Sequence, residues 1–409
     1  MKRILILGSD YFDSANANGV CVRKLAEYLV ALGHSVKVVS TSLCSKSDMV
    51  QNGVEISFVP LDKSYLRLMK MRKFKDSKLG RYYYKAYRLL RNIKLLTTYP
   101  LNYPARLESL IPHVESVIND YKIDTLICTC RPYDSIACGL SMKQRFGSKL
   151  YVVSYYLDNI VKDDTFVGIG GKIKKKRIQK AFSDELNLLN RVCLPSTKEE
   201  MPEWDSPIIH YVGFPLYDRP NSYESCNMVF DTNYTNVVYI GTLNQENRNP
   251  EKALKFFEMY NERFEKKIRF HIWGKVQDNS CKNLVERYSF VEYHGFIENK
   301  YTTDILKRCD YVINIANKVS LDFLPSKIFQ LFALHLPIIN FYYSEKDKSL
   351  QYFHSYSKAV NVYVGNDRPF DIKIISEKLI KISQIELTED DEQFKIFTPE
   401  YICNELINN

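Results

Sequence analysis

A chain of 409 residues is too long for one hydrophobic core, and its 45% apolar content is enough to pack two domains. No run of about twenty apolar residues occurs, which excludes a membrane-spanning helix. The opening, MKRILILGSD, lacks the long apolar region of a secretory signal, so we expect a cytoplasmic protein.

The ten cysteines are scattered along the chain, and none forms a CxxC pair. Several lie in apolar runs, where a free thiol behaves as a small hydrophobic side chain. We therefore expect a reduced protein without a structural metal. The histidines show no metal-ligand spacing along the chain; they are His34, His113, His210, His271, His294, His335 and His354.

Strands and helices alternate along the N-terminal half. The sequence predicts strands at 3–7, 35–40, 54–59, 124–129, 150–155, 191–194 and 207–215. It predicts helices at 19–32, near 134–146 and near 174–190, with a basic helical stretch after the third strand. Such alternation is typical of a parallel, doubly wound sheet.

The same alternation restarts after a polar stretch at 216–236, which predicts a linker. Strands are predicted at 237–242, 268–274, 289–295, 310–315, 336–341 and 358–364, and helices near 370–384 and 398–407. We expect an N-terminal domain at 1–215, a C-terminal domain at 237–385, and a helical segment at 386–409 that returns toward the N-terminal domain.

The net charge of +9 comes from residues 63–94, which hold twelve Lys or Arg against one Asp, with tyrosines and leucines interleaved. A second basic cluster, KIKKKRIQK, lies at 172–180. This pattern suits an anionic membrane surface or a phosphorylated acceptor. Nucleic acid is the rival partner and a solvated helical face is the ordinary alternative. We expect the anionic surface, no nucleic acid, and a peripheral position at the inner face of the plasma membrane.

Candidate site residues in the first half follow strand ends. The first turn, GSDYFDSANANGV, lacks GxGxxG, which argues against a dinucleotide cofactor held there. Asn18 and Gly19 just before the helix can offer backbone N–H groups to a ligand or form an ordinary helix cap. Arg131 and Asp158 each follow a strand, where α/β sheets bind ligands, although an aspartate there can also be a cap.

In the second half, Gly241 and Thr242 follow a strand, and Arg248 stands just before a helix that opens at Pro250. Arginine is the natural bidentate partner of a phosphate. Another strand end carries the run His294, Gly295 and Phe296, where backbone groups can hydrogen-bond the edge of a base.

The stretch LDFLPSKIFQLFALHLPII predicts a buried helix that starts near Pro325, after Leu324, and then a strand. Lys327 falls in the first turn, where the helix dipole disfavours a cation, and Gln330 interrupts the apolar run. Ser326, Lys327 and Gln330 share a helical face. A diphosphate bound at this end would make Lys327 favourable.

With these motifs the sequence resembles the family-4 glycosyltransferases, retaining enzymes of GT-B fold that use nucleotide sugars, over nearly the whole chain. The PSKIFQ…ALHLPII run is similar to a bacterial surface-polysaccharide branch. The resemblance implies an α/β protein with two Rossmann-like doubly wound domains that face each other across a cleft. The N-terminal domain would bind the acceptor, and the C-terminal domain the donor.

The most specific likeness is Asp322-x7-Gln330, where the family has Glu-x7-Glu. By resemblance Asp322 is the acid near the donor sugar, Gln330 holds the ribose hydroxyls, and Arg248 and Lys327 neutralise the diphosphate. Aspartate has a shorter reach than glutamate, and glutamine loses the charge. Gly-Thr…Arg also replaces the usual Gly-Arg…Lys phosphate motif.

The resemblance implies retaining transfer from a nucleotide sugar such as a UDP- or GDP-sugar to a glycan or a lipid-diphosphate-linked acceptor. We expect no cofactor and no metal, since no DxD pair stands where a metal-dependent transferase would need one. Two alternatives stay open. One is a degenerate GT-B protein that binds a sugar nucleotide without turnover, and the other is a sugar-nucleotide 2-epimerase.

Overall fold

The protein is described from a computed structural model, in which the chain divides into two compact units. One unit holds residues 1–215 and 395–409, and the other holds residues 216–394. The structure describes residues 1–8, 17–42, 48–60, 66–67, 70–71, 77–101, 103–130, 132–158, 160–161, 168–195, 198, 201–218, 223–319, 321, 324–325, 327–366, 369–386 and 392–408.

An eight-stranded sheet forms the centre of the first unit. Its strands are β1 (Arg3–Leu7), β2 (Ser35–Ser42), β3 (Met49–Gln51), β4 (Val54–Pro60), β5 (Thr125–Cys130), β6 (Tyr151–Tyr156), β7 (Arg191–Leu194) and β8 (Ile209–Tyr211). They are ordered β3-β4-β2-β1-β5-β6-β7-β8, and every neighbouring pair is parallel except β3 with β4. All residues of β5 are buried, as expected for a parallel strand that is covered on both faces.

The helices of the first unit are α1 (Ala17–Ala31), α2 (Lys78–Thr98), α3 (Pro104–Tyr121), α4 (Asp134–Phe146), α5 (Gly168–Leu188) and α12 (Pro399–Ile407), with a short 3-10 turn at Gly147–Lys149. Two of these helices begin at a hydroxyl side chain that caps the first turn. The hydroxyl of Ser77 accepts a hydrogen bond from the N–H of Gly80 at the start of α2, and Thr398 does the same for Tyr401 in α12. Helix α12 packs on α1 and β7.

The second unit is built on a six-stranded, wholly parallel sheet ordered β11-β10-β9-β12-β13-β14. Its strands are β9 (Thr235–Ile240), β10 (Ile268–Trp273), β11 (Val291–Gly295), β12 (Tyr311–Ile315), β13 (Ile338–Tyr342) and β14 (Ala359–Tyr363). Its helices are α6 (Glu251–Arg263), α7 (Asn279–Arg287), α8 (Asn299–Arg308), α9 (Lys327–Ala333), α10 (Leu350–Ser355) and α11 (Ile372–Ser383). A 3-10 turn at Glu392–Phe397 runs from the second unit into the first.

The architecture confirms the expected class, an α/β protein with two parallel-sheet domains. The segment 216–236, expected as a linker, lies in the second unit, because Cys226, Met228 and Phe230 pack on a cluster beside its sheet. The short edge strand β3 was not predicted, since its three residues are all exposed. No helix among the described residues is long and apolar enough to cross a bilayer.

Candidate functional site

Glycine turns follow three neighbouring strands at the carboxyl edge of the second sheet. The N–H of Gly241 donates to the carbonyl of Trp273 at 2.9 Å, and the N–H of Gly274 donates to the carbonyl of Gly295 at 2.7 Å. Gly274 has φ +122°, and a Cβ there would lie 1.9 Å from the carbonyl oxygen of Gly241. The close approach of these turns therefore requires glycine at position 274.

Arg248 is held in the loop after β9 by a polar network. Its Nε donates to Oδ1 of Asn317 at 2.9 Å, and Nδ2 of Asn247 donates to the same oxygen at 3.1 Å. The Asn317 side chain is buried just after β12, so it ties the loops that follow β9 and β12 together. Arg248 also hydrogen-bonds the hydroxyl of Tyr239, which donates to the carbonyl of Thr242 at 3.1 Å.

Lys327 begins helix α9; the residue reaches solvent although protein surrounds its amine, and Ile328 and Phe329 behind it are buried. Desolvation by the surrounding protein lowers the pKa of Lys327, and the positive charge of Arg248 lowers it further. The two cations are therefore close enough to repel each other. Within the described part of the chain, neither side chain pairs with a carboxylate. A group that carries negative charge would relieve this repulsion.

Helix α9 is shorter than the sequence predicts. It spans seven residues, begins at Lys327 rather than near Pro325, and is preceded by a tight turn in which Ile328 N–H donates to the Pro325 carbonyl at 3.2 Å. Gln330 is half-buried one turn after Lys327, and Leu324 is half-buried before the turn. Asp322 and Ser326 lie outside the described residues, so their expected roles stay predictions.

A pocket of about 410 Å³ opens beyond the end of β11. His294 and Phe296 line it together with Trp273, and the ring of His294 stacks on that of Trp273 with centroids 4.2 Å apart. Phe296 is 78% exposed. The pocket therefore offers an aromatic wall and an exposed aromatic side chain beside Gly295, which suits a planar ligand.

The candidate residues of the first unit are only partly described. Asn18 and Gly19 lie inside the first turn of α1, because that helix begins at Ala17 rather than after them. Asp158 follows β6. Burial raises the pKa of the Cys21 thiol in α1, and the charge of Asp158 raises it further. The end of β6 and the start of α1 are thus neighbours. Arg131 lies outside the described residues.

The basic segment carries an unusual helix. Only 66–67, 70–71 and 77–94 of residues 63–94 are described, and 78–94 belong to α2. One stripe of α2 faces the protein through Gly80, Tyr84 and Leu95. A second stripe at helical spacing is apolar and exposed; it comprises Leu79, Tyr82, Tyr83, Leu89, Leu90 and Ile93.

Sequence reasoning missed Asn317 and Trp273, which position Arg248 and His294. Asn317 follows a strand in the same way as the predicted residues, so the rule of strand ends could have found it. Trp273 is the last residue of β10, but its apolar ring predicts only core packing.

The comparisons with known proteins bear on the fold. No protein-family model and no curated protein matches the sequence. Among solved structures, the chain is similar to UDP-GlcNAc 2-epimerase from Methanocaldococcus jannaschii, with 12% identity over 100% of both chains and a TM-score of 0.53. It is also similar to the glycosyltransferase SnogD from Streptomyces nogalater and to the glycotransferase of kitacinnamycin. Each is 13% identical and covers 99% of this chain and 98% of its own, with a TM-score of 0.51. At these identities the likeness shows the fold, which is the GT-B fold that the sequence predicts.

Proposed function

We propose that the protein is a glycosyltransferase that moves a sugar from a nucleotide diphosphate sugar to a glycan or lipid-linked acceptor. The observation that carries the proposal is the pair of neighbouring cations, Arg248 and Lys327, without a carboxylate partner among the described residues. A diphosphate supplies the negative charge that this pair lacks, and Arg248 is held in place before any ligand arrives.

The departing diphosphate is the group that these cations would stabilise. As the bond from the sugar to the diphosphate breaks, charge develops on the leaving oxygen, and the two neighbouring cations would lower the energy of that state without a metal ion. In retaining transfer the new bond forms on the face of the sugar that the diphosphate leaves. The oxocarbenium-like sugar therefore has to be stabilised on that face. Asp322 is the proposed acid near that sugar, and Asp158 and Arg131 are the proposed catalytic groups of the acceptor side.

The nucleoside would occupy the other end of the same sheet edge. The aromatic wall of Trp273 and His294, with Phe296 beside it, fits a planar base, and the backbone of Gly295 can hydrogen-bond its edge. Gln330, one turn after Lys327, would hold the ribose hydroxyls. Donor recognition would then use residues that follow β9, β11 and β12.

Donor binding can be tested first and turnover second. Nucleotide sugars that bind the folded protein should raise its melting temperature, whereas free sugars should not. Arg248→Ala should abolish most of that rise, because Arg248 is one of the two proposed diphosphate-binding cations and Asn317 already holds its guanidinium in place. A donor found in this way would then be incubated with glycan and lipid-diphosphate acceptors, and the anomeric configuration of the product read by NMR. A protein that no nucleotide sugar stabilises would contradict the proposal.

A sugar-nucleotide 2-epimerase is the second candidate, because the epimerase from Methanocaldococcus jannaschii has the same fold over the whole chain. Product analysis separates the two. An epimerase returns the intact nucleotide sugar with its C2 centre inverted and needs no acceptor, whereas a transferase releases the nucleoside diphosphate. Binding without either product would favour a degenerate protein.

We further propose that α2 docks the protein on an anionic membrane surface. Beside the exposed apolar stripe of α2 runs a basic stripe of Arg81, Lys85 and Arg88, all exposed. Helix α5 adds exposed Ile169 and Ile173 to a run of lysines. Its start touches the end of α2, where the Nζ of Lys174 lies 5.6 Å from the ring centre of Tyr99. Apolar side chains flanked by cations match the chemistry of acidic headgroups over acyl chains.

Sedimentation with vesicles tests this docking. Binding should require phosphatidylserine or another acidic lipid and should weaken as salt rises. Changing Arg81, Lys85 and Arg88 to Gln should reduce binding at low salt, and changing Leu90 and Ile93 to Ser should reduce it at every salt concentration. Replacing the exposed Lys373, Lys378 and Lys381 of α11 by Gln is the matched control. Unchanged vesicle binding in both sets of α2 variants would contradict the docking proposal and would mean that α2 only presents a solvated face.

A further inference from the structure

Three potential metal ligands meet on one face of the second sheet. Nδ1 of His271 lies 3.1 Å from Nε2 of His294 and 3.4 Å from Oε2 of Glu292, and the last two atoms are 3.7 Å apart. His271 is in β10 opposite Glu292 in β11. The register shifts between Ile272 and Trp273, which brings His294 toward the same pair.

The spacing of these atoms is that of a tetrahedral metal site. Zinc binds imidazole nitrogen and carboxylate oxygen at about 2.0–2.2 Å, so two ligands at the tetrahedral angle lie about 3.3–3.6 Å apart. The observed separation of 3.4 Å lies within this range, and those of 3.1 and 3.7 Å lie just outside it. A hydrogen bond between the two rings would explain the shortest separation, but it gives no reason for Glu292 Oε2 to face both nitrogens.

Neighbouring side chains orient His271 as a metal ligand. Its Nε2 lies 3.1 Å from the side-chain oxygen of Asn236, which fixes the proton on Nε2 and leaves Nδ1 with its lone pair toward the cluster. The ring is nearly fully buried and is packed edge-on by Phe230. Burial lowers the pKa of the His271 and His294 rings.

The charge near the cluster is compatible with a cation. Arg269 is the nearby positive group, and its Nε lies 3.4 Å from Oε1 of Glu292 and its Nη1 3.8 Å from Asp231. Its guanidinium also lies 3.7 Å from the ring centre of Tyr234. These contacts hold Arg269 to two carboxylates and a ring, and they leave Oε2 of Glu292 facing the histidines.

We propose that His271, Glu292 and His294 form a binding site for a zinc-like divalent cation, with a fourth position open to water. Glu292 is 38% and His294 24% exposed at the side chain, which gives an ion a route from solvent. Imidazole and carboxylate ligands favour zinc, cobalt or nickel over magnesium and calcium. The bound ion would join β10 to β11 and hold the His294 ring against Trp273, at the wall of the pocket.

Metal titration of the whole chain tests the site without any nucleotide sugar, so its result is independent of the proposed function. The tag-free protein, treated with a chelator and desalted, should take up one equivalent of zinc by calorimetry and gain a higher melting temperature. Cobalt should give tetrahedral ligand-field bands in the visible range without a thiolate charge-transfer band. Glu292→Gln and His294→Ala should each weaken zinc binding by more than about tenfold.

His354→Ala is the matched control, since it removes an exposed histidine of the same unit and should leave zinc binding unchanged. Glu292→Gln changes a partly exposed side chain and keeps its shape, so it decides the matter if His294→Ala fails to fold. A protein that takes up no zinc, a thiolate band with cobalt, or wild-type affinity in Glu292→Gln would each overturn the proposal.

Discussion

Lys327 is the side chain that tests the proposed anion site most directly. Lys327→Ala should change the free energy of unfolding by no more than about 0.5 kcal/mol, because the residue is exposed and a cation is disfavoured in a first helical turn. A lost charge-assisted hydrogen bond is worth roughly 1.5–3 kcal/mol, so affinity for the donor should fall about tenfold to a hundredfold. Urea unfolding and calorimetric titration measure the two effects.

The exposed Lys378 of α11 serves as the control for Lys327. Lys378→Ala removes the same charge from the same unit and should leave donor affinity unchanged. Should Lys327→Ala bind the donor as the wild type does, or unfold the second unit, then α9 would be a packing element only.

Glu185 gives a residue-scale prediction for the first unit. Its carboxylate is buried in α5, and Oε1 accepts hydrogen bonds from the hydroxyls of Tyr133 at 2.9 Å and Tyr156 at 2.6 Å. Burial raises the pKa of Glu185 from 4.5 to about 7, against the opposing effect of these hydrogen bonds. The folded state therefore holds a proton that the unfolded state releases above about pH 4.5.

The sign of the pH effect follows from this raised pKa. The stabilising contribution is complete below about pH 4.5 and is lost as the pH rises through about 7. A shift of that size is on the order of 3 kcal/mol. Glu185→Gln should remove this decline, so that urea unfolding of the first unit varies less between pH 4.5 and pH 8 than in the wild type. Glu108→Gln, on the exposed face of α3, is the control and should keep the wild-type slope.

The sequence predicts single candidate residues more readily than the partners that hold them. Arg248 and Lys327 are recognisable because one follows a strand and the other breaks a helical pattern. The contact of Arg248 with Asn317 is not, since the two residues are 69 positions apart in the chain. His271 and His294 are 23 residues apart and show no ligand spacing, yet neighbouring strands bring their nitrogens to 3.1 Å. Contacts between neighbouring strands depend on the order of strands in the sheet, which the spacing of residues in the sequence does not predict.

At the scale of elements, the turn after β10 depends on one glycine. Any other residue at position 274 would have to keep the backbone φ of +122°, and its Cβ would lie 1.9 Å from the carbonyl oxygen of Gly241. Backbone strain of about 1–3 kcal/mol and displacement of the neighbouring turn by a similar amount should together destabilise Gly274→Ala by roughly 2–6 kcal/mol. Urea unfolding followed at Trp273 would measure this loss.

Gly295 provides the matched control for Gly274. It has φ +73°, and a Cβ there would meet nothing within 4 Å. Gly295→Ala should therefore show only the cost of the left-handed backbone, about 1–2 kcal/mol. Equal losses in the two variants would mean that the close approach of the turns contributes nothing.

Strands were the elements that the sequence predicted best, because buried parallel strands are continuous apolar runs that few other structures produce. Helix α2 shows the limit of such patterns. Its sequence holds two stripes at helical spacing, and the pattern does not say that Tyr84 and Leu95 face the protein while Leu79 and Leu90 face solvent. That choice depends on what the rest of the chain presents to the helix.

At the scale of the whole molecule, the chain ends in the first unit after passing through the second. Ile402, Cys403, Leu406 and Ile407 of α12 are buried there. Phe397 lies against Gly213, where a Cβ would be only 2.1 Å from its ring. The carboxylate of Glu405 pairs with Arg191 and with Nδ1 of His210.

Removing residues 395–409 should therefore destabilise the first unit selectively. Each buried aliphatic side chain of α12 contributes about 1.5–3 kcal/mol, so the loss should reach several kcal/mol, which is most of the stability of an ordinary domain. The chain has two tryptophans, Trp204 in the first unit and Trp273 in the second. Trp273→Phe and Trp204→Phe backgrounds thus let urea unfolding be followed in one unit at a time.

The truncated chain should unfold at a lower urea concentration when followed at Trp204, with a much smaller shift when followed at Trp273. Removing only residues 408–409 is the control, since α12 ends at Ile407, and it should leave both transitions in place. Equal shifts at the two tryptophans would show that α12 stabilises the molecule as a whole. An unchanged Trp204 transition would show that the buried face of α12 adds little to the first unit.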